Sequence, residues 1–459
     1  MIQQMRLFLE PRSIALVGAS RRTGDGNNVF ENLKVYGFPG KLYPVNPRAE
    51  EILGERAYPS VSDIPEVPDL ALISTPRASV PQMVGECVAK GIKAIIIVAQ
   101  GLADADDEGR RLQEEAVRIA REGGARLLGP NTFGTANAFC HLNTAFIFFP
   151  MEKVPVASIS QSGFLFGGTP RQRLVGKAID LGNSGDIGFT EALEYFGADP
   201  DIKVIVLYVE SIRNGRQFLE VARRVAEKKP IIALKGGVTP LGAEAAQSHT
   251  GSLTGRNEVY EAAFRQCGII QAGDVDELED LVVSFLHLPV LRGRRLGVMT
   301  ITMGAGVLAA DACARHGMEL ASLSSRTRAK LAELLPPWLG ASNPVDLGPS
   351  AFTPWGSKEV MRQSLEALLT DPGVDAVLLV VSTNPMEVRD ITAVTAPAVE
   401  AHPEKPVVSW VYNTDIGEEI SARYRNAGKM VVYLTLGRAM KALSRVAGYW
   451  ERRNRADGP

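Results

Sequence analysis

The stretch Val156-Ala-Ser-Ile-Ser160-Gln-Ser-Gly163 decides the fold, because a short β-branched run gives way abruptly to small polar residues. Similar transitions occur at Ser13-Ile-Ala-Leu-Val-Gly-Ala-Ser20 and between Leu296 and Gly306. Amphipathic segments such as Asp107 to Glu122 separate runs of this kind along the chain. The alternation is typical of parallel sheets covered by helices, so the sequence predicts an α/β protein.

The predicted strands fall into three rounds, and 459 residues are too many for one hydrophobic core. We therefore predict three α/β domains at 1–150, 151–290 and 291–459, with a basic linker at Arg292-Gly-Arg-Arg295. The predicted strands are 13–17, 41–45, 70–74, 94–98, 126–128, 156–160, 204–209, 231–234, 269–270, 296–301, 377–381, 406–411 and 430–433.

Composition excludes several functional classes. The chain has 50 Lys and Arg against 52 Asp and Glu, a formal charge of -2, which gives no broad basic field for nucleic acid or anionic lipid. Its apolar runs are too short to span a bilayer, and the first residues do not read as a signal peptide. The four cysteines lack metal-binding spacing, so we expect reduced thiols, no metal site and a cytoplasmic location.

Gly18-Ala19-Ser20 follows the first predicted strand, where helix N-termini can bind anions. A dinucleotide site would require G-x-G-x-x-G and an acidic residue after the second strand. The second strand instead ends in Asn46-Pro47, which argues against a nicotinamide-dependent oxidoreductase. Taken alone, the glycine turn is equally compatible with an ordinary strand-to-helix connection.

Ser160-Gln161-Ser162-Gly163 offers hydroxyl groups and close backbone approach for a phosphate. A serine N-cap of an ordinary helix is the alternative interpretation. The following Gly167-Gly168-Thr169-Pro170 would limit such a helix to about one turn.

His249 differs from the other four histidines, because small residues flank it over a connection that we predict as a loop from Gly236 to Gly255. Neutral imidazole is a nucleophile near neutral pH, and its phosphoramidate can pass phosphate onward. The ring needs a partner for its second nitrogen, and Glu210, which ends a predicted strand, is the candidate. By themselves, a lone histidine and a strand-end glutamate are more often surface residues.

Together these segments resemble the α subunit of ADP-forming acetyl-CoA (acyl-CoA) synthetases, relatives of succinyl-CoA synthetase. The resemblance covers nearly the whole chain. The matching segments are Gly18-Ala-Ser20, Tyr43-Pro-Val-Asn46-Pro47, Gly129-Pro-Asn131, Ser160-Gln-Ser-Gly163, Tyr208-Val-Glu210, Ser248-His-Thr-Gly-Ser-Leu253, Val259-Tyr-Glu-Ala-Ala-Phe264, Gly306-Val-Leu-Ala-Ala-Asp311 and Asn343-Pro-Val-Asp346.

The resemblance implies a CoA-binding Rossmann-like domain followed by two flavodoxin-like domains. It implies the reversible conversion of a small carboxylic acid, ATP and CoA to acyl-CoA, ADP and phosphate. His249 would carry the phosphoryl group, Glu210 would orient it, and Ser160, Gln161, Ser162 and Gly163 would bind phosphate. Gly18, Ala19, Ser20, Asn46 and Pro47 would bind CoA. Mg-ATP would bind to an ATP-grasp β subunit, so a hetero-oligomer is implied.

Two departures from the family leave a second interpretation open. The helix after Gly163 is interrupted, and Thr132 stands where cysteine is common. A non-catalytic CoA-binding regulatory module with the same fold is therefore the alternative to a ligase. Phe164, Phe166 and the aromatic segment 146–149 indicate either an altered acyl pocket or core packing. The acid, and the choice between ATP and GTP, stay open.

Overall fold

The computed structural model describes residues 2–22, 28–169, 173–250, 255–348, 357–381, 391–411 and 430–456. For residues 247–250, 357, 381, 391–393 and 456 only the backbone is described. The chain forms two compact units, Met1–Val275 and Asp276–Pro459. Strands and helices are numbered below in chain order. In the described ranges no helix is long and apolar enough to cross a bilayer.

The first unit begins with a five-stranded parallel sheet of order β2-β1-β5-β6-β7. A small antiparallel pair, β3-β4, lies outside it. The strands are β1 Ser13–Val17, β2 Lys41–Val45, β3 Glu51–Ile52, β4 Glu55–Arg56, β5 Leu70–Ile73, β6 Ala94–Ile97 and β7 Arg126–Leu128. The helices are α1 Ile2–Leu9, α2 Val29–Val35, α3 Val80–Lys90 and α4 Asp107–Glu122.

A seven-stranded sheet of order β14-β13-β12-β10-β11-β8-β9 completes this unit. Strands β10 to β14 pair in parallel, and β8 and β9 form an antiparallel edge. The strands are β8 Thr135–Asn137, β9 Leu142–Asn143, β10 Val156–Ser160, β11 Lys177–Asp180, β12 Val204–Val209, β13 Ile231–Lys235 and β14 Ile270–Ala272. The helices are α5 Phe189–Ala198, α6 Gly215–Ala226, α7 Pro240–Thr250 and α8 Asn257–Cys267.

The second unit contains a parallel sheet of order β16-β15-β18-β19-β20, with β17 paired to β15. Helix α9 Val275–His287 leads into it. The strands are β15 Arg295–Thr300, β16 Glu319–Leu320, β17 Val345–Asp346, β18 Ala376–Val381, β19 Val407–Val411 and β20 Val431–Tyr433. The helices are α10 Met303–Arg315, α11 Ser325–Leu334, α12 Ser357–Leu369, α13 Ile391–Ala401 and α14 Leu436–Ala456.

The predicted α/β class is confirmed, and the predicted strands are present to within a residue or two at their ends. Burial explains this agreement, because continuous β-branched runs such as Val156–Ser160 lie between two helical layers and are buried throughout. Strands β8 and β9 precede the predicted boundary at residue 150 and pair with the second sheet. The three domain boundaries stay predictions.

The predicted loop from Gly236 to Gly255 contains helix α7, Pro240–Thr250, so that part of the prediction is wrong. Pro240 suits the first helical position, where its missing N–H removes no hydrogen bond. The hydroxyl oxygen of Thr239 accepts a hydrogen bond from Gly242 N at 3.1 Å. Alanine has the highest helix propensity, and it occurs here at Ala243, Ala245 and Ala246. This propensity outweighs the tendency of small residues to occur in loops.

Lys177 is buried in the second sheet, with 1% of its surface exposed. Its Nζ donates to Asp199 Oδ2 at 2.8 Å and to Asp201 Oδ2 at 2.9 Å. Asp199 is itself buried, at 7% exposure. A buried ion pair of this kind contributes little net stability when intact, but removing one member leaves an uncompensated charge.

Lys177→Met is expected to lower the free energy of unfolding of the first unit by about 3 kcal/mol, because Asp199 would stay buried without its cation. Urea denaturation followed by circular dichroism measures this change. The control is Arg224→Met, which removes an exposed pair with Glu194 at 3.4 Å and is expected to cost at most about 1 kcal/mol. Equal effects of the two substitutions would contradict the assignment of Lys177 as a buried charge partner.

Candidate functional site

A cavity of about 380 Å³ opens in the first unit at the carboxyl ends of strands from both of its sheets. Ligands of α/β proteins characteristically bind at this edge of a sheet. One group of lining residues follows β6 and β7 of the first sheet, and another follows β10 and β11 of the second. The lining residues are Val98, Gln100, Asn131, Thr132, Phe133, Phe146, Gln161, Ser162, Gly163, Phe164, Asp180, Gly182 and Asn183.

The predicted phosphate-binding segment forms a tight turn at the end of β10. Ser160 Oγ accepts from Ser162 N at 3.0 Å and donates to Ser162 O. Ser162 Oγ accepts from Phe164 N at 3.3 Å and so caps a single 3₁₀ turn, Gly163–Leu165. The serine thus caps a short turn, and that turn lines the cavity, while its phosphate-binding role stays a prediction.

Gly163 is required by close packing at this turn. A Cβ atom there would lie 2.2 Å from the ring of Phe133, far inside van der Waals contact. Because no other residue lacks that atom, only glycine lets the backbone pass so near the aromatic wall. Gly163 thereby lines the cavity with backbone alone.

Gln161 connects the turn to Glu210 at the end of β12. Its side-chain Oε1 accepts from Glu210 N at 2.8 Å and from Ser211 N at 2.9 Å. Two neighbouring strand ends are thus held by one amide oxygen. The structure therefore brings the backbone of Glu210 beside the Ser160–Gly163 turn through the side chain of Gln161.

Glu210 is 5% exposed and shares its surroundings with two other polar side chains. Tyr208 Oη donates to Glu210 Oε1 at 3.4 Å, and burial together with the Glu210 charge raises the pKa of Tyr208 to about 12. Lys235 is also 5% exposed, and its Nζ lies 4.7 Å from the ring centroid of Tyr260. Burial lowers the pKa of Lys235, and the charge of Glu210 opposes that shift.

Asp180, at the end of β11, is a cavity residue that the sequence analysis did not identify. It is 3% exposed, and its Oδ2 accepts from Phe133 N at 2.8 Å while Oδ1 accepts from Gly182 N at 3.3 Å. Burial raises the pKa of Asp180 to about 6, and the charge of Glu210 acts in the same direction. A carboxyl group that titrates near neutrality inside a cavity is typical of functional sites.

Aromatic rings divide between the cavity wall and the core. Phe146 and Phe164 line the cavity, and the ring centroids of Phe133 and Phe146 lie 4.7 Å apart. Phe149 and Phe166 are buried and contact each other edge to face at 5.5 Å. Core packing therefore accounts for Phe149 and Phe166, and an altered acyl pocket at Phe146 and Phe164 stays a prediction.

The residues predicted to bind CoA meet at the ends of β1 and β2. Gly18 has a φ of +86°, and a Cβ there would lie 2.5 Å from Ser74 O, so glycine is required. Asn46 Nδ2 donates to Ala19 O at 2.9 Å, which joins the two strand ends. Ser20 Oγ accepts from Arg22 N at 3.1 Å, and Pro47 follows Asn46 directly.

The side chain of His249 lies outside the described residues. Its backbone is in the last turn of α7, which follows the strand end at Lys235 and the pair Gly236-Gly237. Gly236 lies against the Glu210 surroundings, since a Cβ on it would be 2.8 Å from Tyr208 Oη and 3.6 Å from Glu210 Cγ. The connection that carries His249 thus begins beside Glu210.

Thr132, which stands where the resemblance led us to expect cysteine, has a structural role. Its hydroxyl donates to Asp180 O and accepts from Gly134 N at 2.8 Å.

Among the residues that the structure describes, no group of three or more His, Cys, Asp and Glu side chains could hold a metal ion.

Three domain families match successive parts of the chain. They are a CoA binding domain at 12–138, a succinyl-CoA ligase like flavodoxin domain at 153–285 and a ligase-CoA domain at 296–454. These matches confirm the predicted order of a CoA-binding domain followed by succinyl-CoA-synthetase-like domains.

Individual proteins that match most of the chain agree with the domain families. The α subunit of an ADP-forming acetate–CoA ligase II from Pyrococcus furiosus is 41% identical over 379 residues, which cover 81% of each chain. An ADP-forming acetate–CoA ligase I from Archaeoglobus fulgidus is 39% identical over 383 residues. These residues cover 82% of this chain but only 54% of that protein. The structure of a Ca. Korarchaeum cryptofilum dinucleotide-forming acetyl-coenzyme A synthetase 1, in complex with phosphate and ADP, is 32% identical with a TM-score of 0.88, covering 99% of this chain and 98% of that one.

Asp180→Asn is expected to make stability less dependent on acidic pH. The folded-state pKa of Asp180, about 6, lies above its usual value of 3.8, so the folded state holds the extra proton and wild-type stability falls as pH rises between these values. Relative to the Asn variant, the wild-type protein should lose about 2 kcal/mol between pH 4 and 6, and only about 0.4 kcal/mol more above pH 6. Urea denaturation across this range measures the difference, and parallel curves would refute the raised pKa.

Proposed function

The chain belongs to the family of ADP-forming acid–CoA ligases, in the part that corresponds to their α subunit, and we propose that it works through a phosphohistidine at His249. The proposed reaction converts a carboxylic acid, ATP and CoA reversibly to acyl-CoA, ADP and phosphate. The observation that carries the proposal is the Gln161 bridge, which places the Glu210 strand end beside the Ser160–Gly163 turn at the cavity.

In the proposed chemistry the acid's carboxylate attacks a phosphoryl group to give an acyl phosphate. That phosphoryl group comes from the imidazole of His249, which ATP on the partner phosphorylates first with release of ADP, and the attack of the carboxylate returns the free imidazole. The CoA thiolate then attacks the acyl carbon of the acyl phosphate, which forms the thioester and releases inorganic phosphate. In the proposal the hydroxyl groups and backbone of the Ser160–Gly163 turn bind the phosphoryl oxygens, as backbone nests do for other phosphates. Each transfer step gains from donors already aimed at the developing charge.

Glu210 is proposed to hold the second ring nitrogen of His249. A buried carboxylate that accepts from one imidazole nitrogen fixes the tautomer and leaves the other nitrogen free to attack phosphorus. Glu210 Oε1 accepts from Tyr208 Oη at 3.4 Å, and in the proposal the imidazole N–H of His249 donates to the same carboxylate. The connection that leads into the helix carrying His249 starts at Gly236, where an added Cβ would lie 3.6 Å from Glu210 Cγ.

CoA is proposed to bind at Gly18, Ala19 and Ser20 together with Asn46 and Pro47. The left-handed turn at Gly18, with a φ of +86°, lets the backbone pass close to Ser74 O at the edge of the sheet. Asn46 holds this turn through Ala19 O, so the two segments form one surface at the strand ends. Small anionic groups of the cofactor suit such a surface.

We propose a separate ATP-grasp β subunit as the partner that binds Mg-ATP, and hence a cytoplasmic hetero-oligomer. The support is that the relative whose length is 81% covered is named a subunit alpha. This chain covers only 54% of a longer relative. The alternative is therefore that the ATP-grasp domain is fused to the α part in one chain rather than carried by a separate subunit.

A non-catalytic CoA-binding module is the second candidate. It is favoured by the single 3₁₀ turn Gly163–Leu165, which stands where a longer helix would present a larger dipole to phosphate. Such a module would bind CoA and form no acyl-CoA with any ATP-grasp partner. A screen of acetate, a branched acid and an aromatic acid with ATP, CoA and the partner separates the two functions.

His249→Ala is expected to abolish acyl-CoA formation by the chain and its partner, because no other described group replaces the phosphoryl carrier. CoA binding, measured by calorimetry, should stay unchanged. His316→Ala, on the other unit, is the matched control and should retain wild-type turnover. Near-wild-type turnover by the His249 variant would remove it from the mechanism.

Glu210→Gln is expected to slow phosphorylation of His249 from ATP by about 100-fold without abolishing it, since the amide keeps an acceptor oxygen but loses the charge. Rapid-quench measurement of label transfer from γ-labelled ATP gives the rate. The exposed Glu220→Gln on α6 serves as the control for the same chemical change. An unchanged rate in the Glu210 variant would show that its carboxylate does not serve the imidazole.

A further inference from the structure

A buried carboxyl group stands in the proposed ligase cavity without an assigned role. Asp180 lines the same cavity as Ser162 and Gly163. Strands β10 and β11 pair in parallel with Ser160 opposite Asp180, so the two strand ends are immediate neighbours. Whatever binds at the phosphate-binding turn therefore lies close to this carboxyl group. The inference that follows rests on the proposed function of the cavity.

Among the residues that the structure describes, no cation offsets the charge of Asp180. Its carboxyl oxygens accept the backbone N–H groups of Phe133 and Gly182, and these bonds together with a side-chain hydrogen bond from Thr132 only partly oppose the raised pKa. The titratable group whose charge reaches it is Glu210, at the end of β12, and this charge is of the same sign. The groups that surround Asp180 from the neighbouring elements are uncharged: Thr132 and Phe133 before β8, Ser160 on β10 and Gly182 after β11.

The proposed substrates add further negative charge to this cavity. A carboxylic acid is ionised at neutral pH, and a phosphoryl group carries one to two charges. A fixed carboxylate about 5 Å from a bound carboxylate would weaken binding on the order of a hundredfold at an effective dielectric constant near 20. A protonated carboxyl group at the same place would instead supply a hydrogen-bond donor, as neutral acids do in other buried sites.

We propose that Asp180 binds the acid substrate in its protonated form, donating a hydrogen bond from Oδ1 to the substrate carboxylate beside the Ser160–Gly163 turn. The proton belongs on Oδ1 because the N–H contact there is long, at 3.3 Å, whereas the 2.8 Å contact holds Oδ2 as an acceptor. The bond orients the substrate carboxylate toward the phosphoryl group. Raising the pH removes the donor and replaces it with a repelling charge.

The raised pKa of Asp180, about 6, agrees with this geometry and sets the pH range. Below that pH the donor form predominates. Above it, the fraction of enzyme able to bind the acid falls about tenfold per pH unit, so KM for the acid should rise by that factor while kcat changes little. Most carboxylic acids are already ionised at pH 6, so their own titration does not produce this rise.

The test measures KM and kcat for the acid from pH 5.5 to 8, with the full chain, its ATP-grasp partner and saturating ATP and CoA. Acetate, a branched acid and an aromatic acid are the probes, and Asp180→Asn is the informative variant. Its amide donates at every pH, so KM should be independent of pH and within about tenfold of the wild-type value at pH 5.5. Asp180→Ser keeps a hydroxyl donor and should behave in the same way.

A rise of KM with pH that persists unchanged in both variants would overturn the role of Asp180. A loss of kcat at constant KM in the variants would overturn it as well. Glu220→Gln, an exposed carboxylate-to-amide change on α6, is the matched control and should keep the wild-type pH profile.

Failure of this inference is distinguishable from failure of the proposed function. Phosphorylation of the chain from γ-labelled ATP requires no carboxylic acid. If the wild-type chain takes up label and the pH profiles do not separate, the role of Asp180 is wrong and the ligase function stands. If the wild-type chain takes up no label with its partner, the proposed function itself fails.

Discussion

The two hydrogen bonds accepted by Gln161 Oε1 hold the proposed site together. They join the end of β10 to the backbone of Glu210 and Ser211, at 2.8 and 2.9 Å. Neighbouring parallel strands fix the distance between their backbones, but the direction in which each chain leaves the sheet is set by such contacts. Without this bridge, the proposed phosphate-binding turn and Glu210 would still lie at the same edge of the sheet, but no contact would fix the direction of one relative to the other.

Close backbone approach is the second constraint on the site. Gly163 allows the turn to pass beside Phe133, and Gly18 allows the first strand end to turn beside Ser74. Both positions expose main-chain groups at strand ends, where polar ligands bind in α/β proteins. Phe133 and Phe146 then provide an apolar wall to the same cavity. The cavity thus combines a polar edge for charged groups with an aromatic surface for the remainder of a substrate.

The periodicity of the sequence was sufficient to predict most strands of the sheets, because the central strands are short, mainly apolar runs that are buried on both faces. Strand β11 was missed, since it begins and ends with charged residues whose burial depends on distant partners. Lys177 is neutralised by Asp199 and Asp201, and Asp180 is held by the N–H of Phe133, 47 residues earlier. No local pattern encodes such contacts, so the carboxyl group of the cavity became visible only in three dimensions.

Helix α7, which contains the backbone of His249, was not predicted for a different reason. Small residues are compatible with both loops and helices, and the proline at position 240 was consistent with either. By contrast, the pairing of Glu210 with the Ser160–Gly163 turn followed from the rule that parallel strands end at one edge. What the sequence could not supply was the role of Gln161, because an amide side chain bonding to backbone leaves no distinctive spacing.

The proposal that phosphate travels on an imidazole is tested most directly by locating the phosphate. The chain should be incubated with an ATP-grasp partner and γ-labelled ATP, digested at alkaline pH and sequenced by mass spectrometry. A phosphohistidine mechanism predicts base-stable, acid-labile phosphate on the peptide that contains His249, approaching one phosphate per chain. Phosphate on any other residue, or none in a preparation that binds CoA, would contradict it.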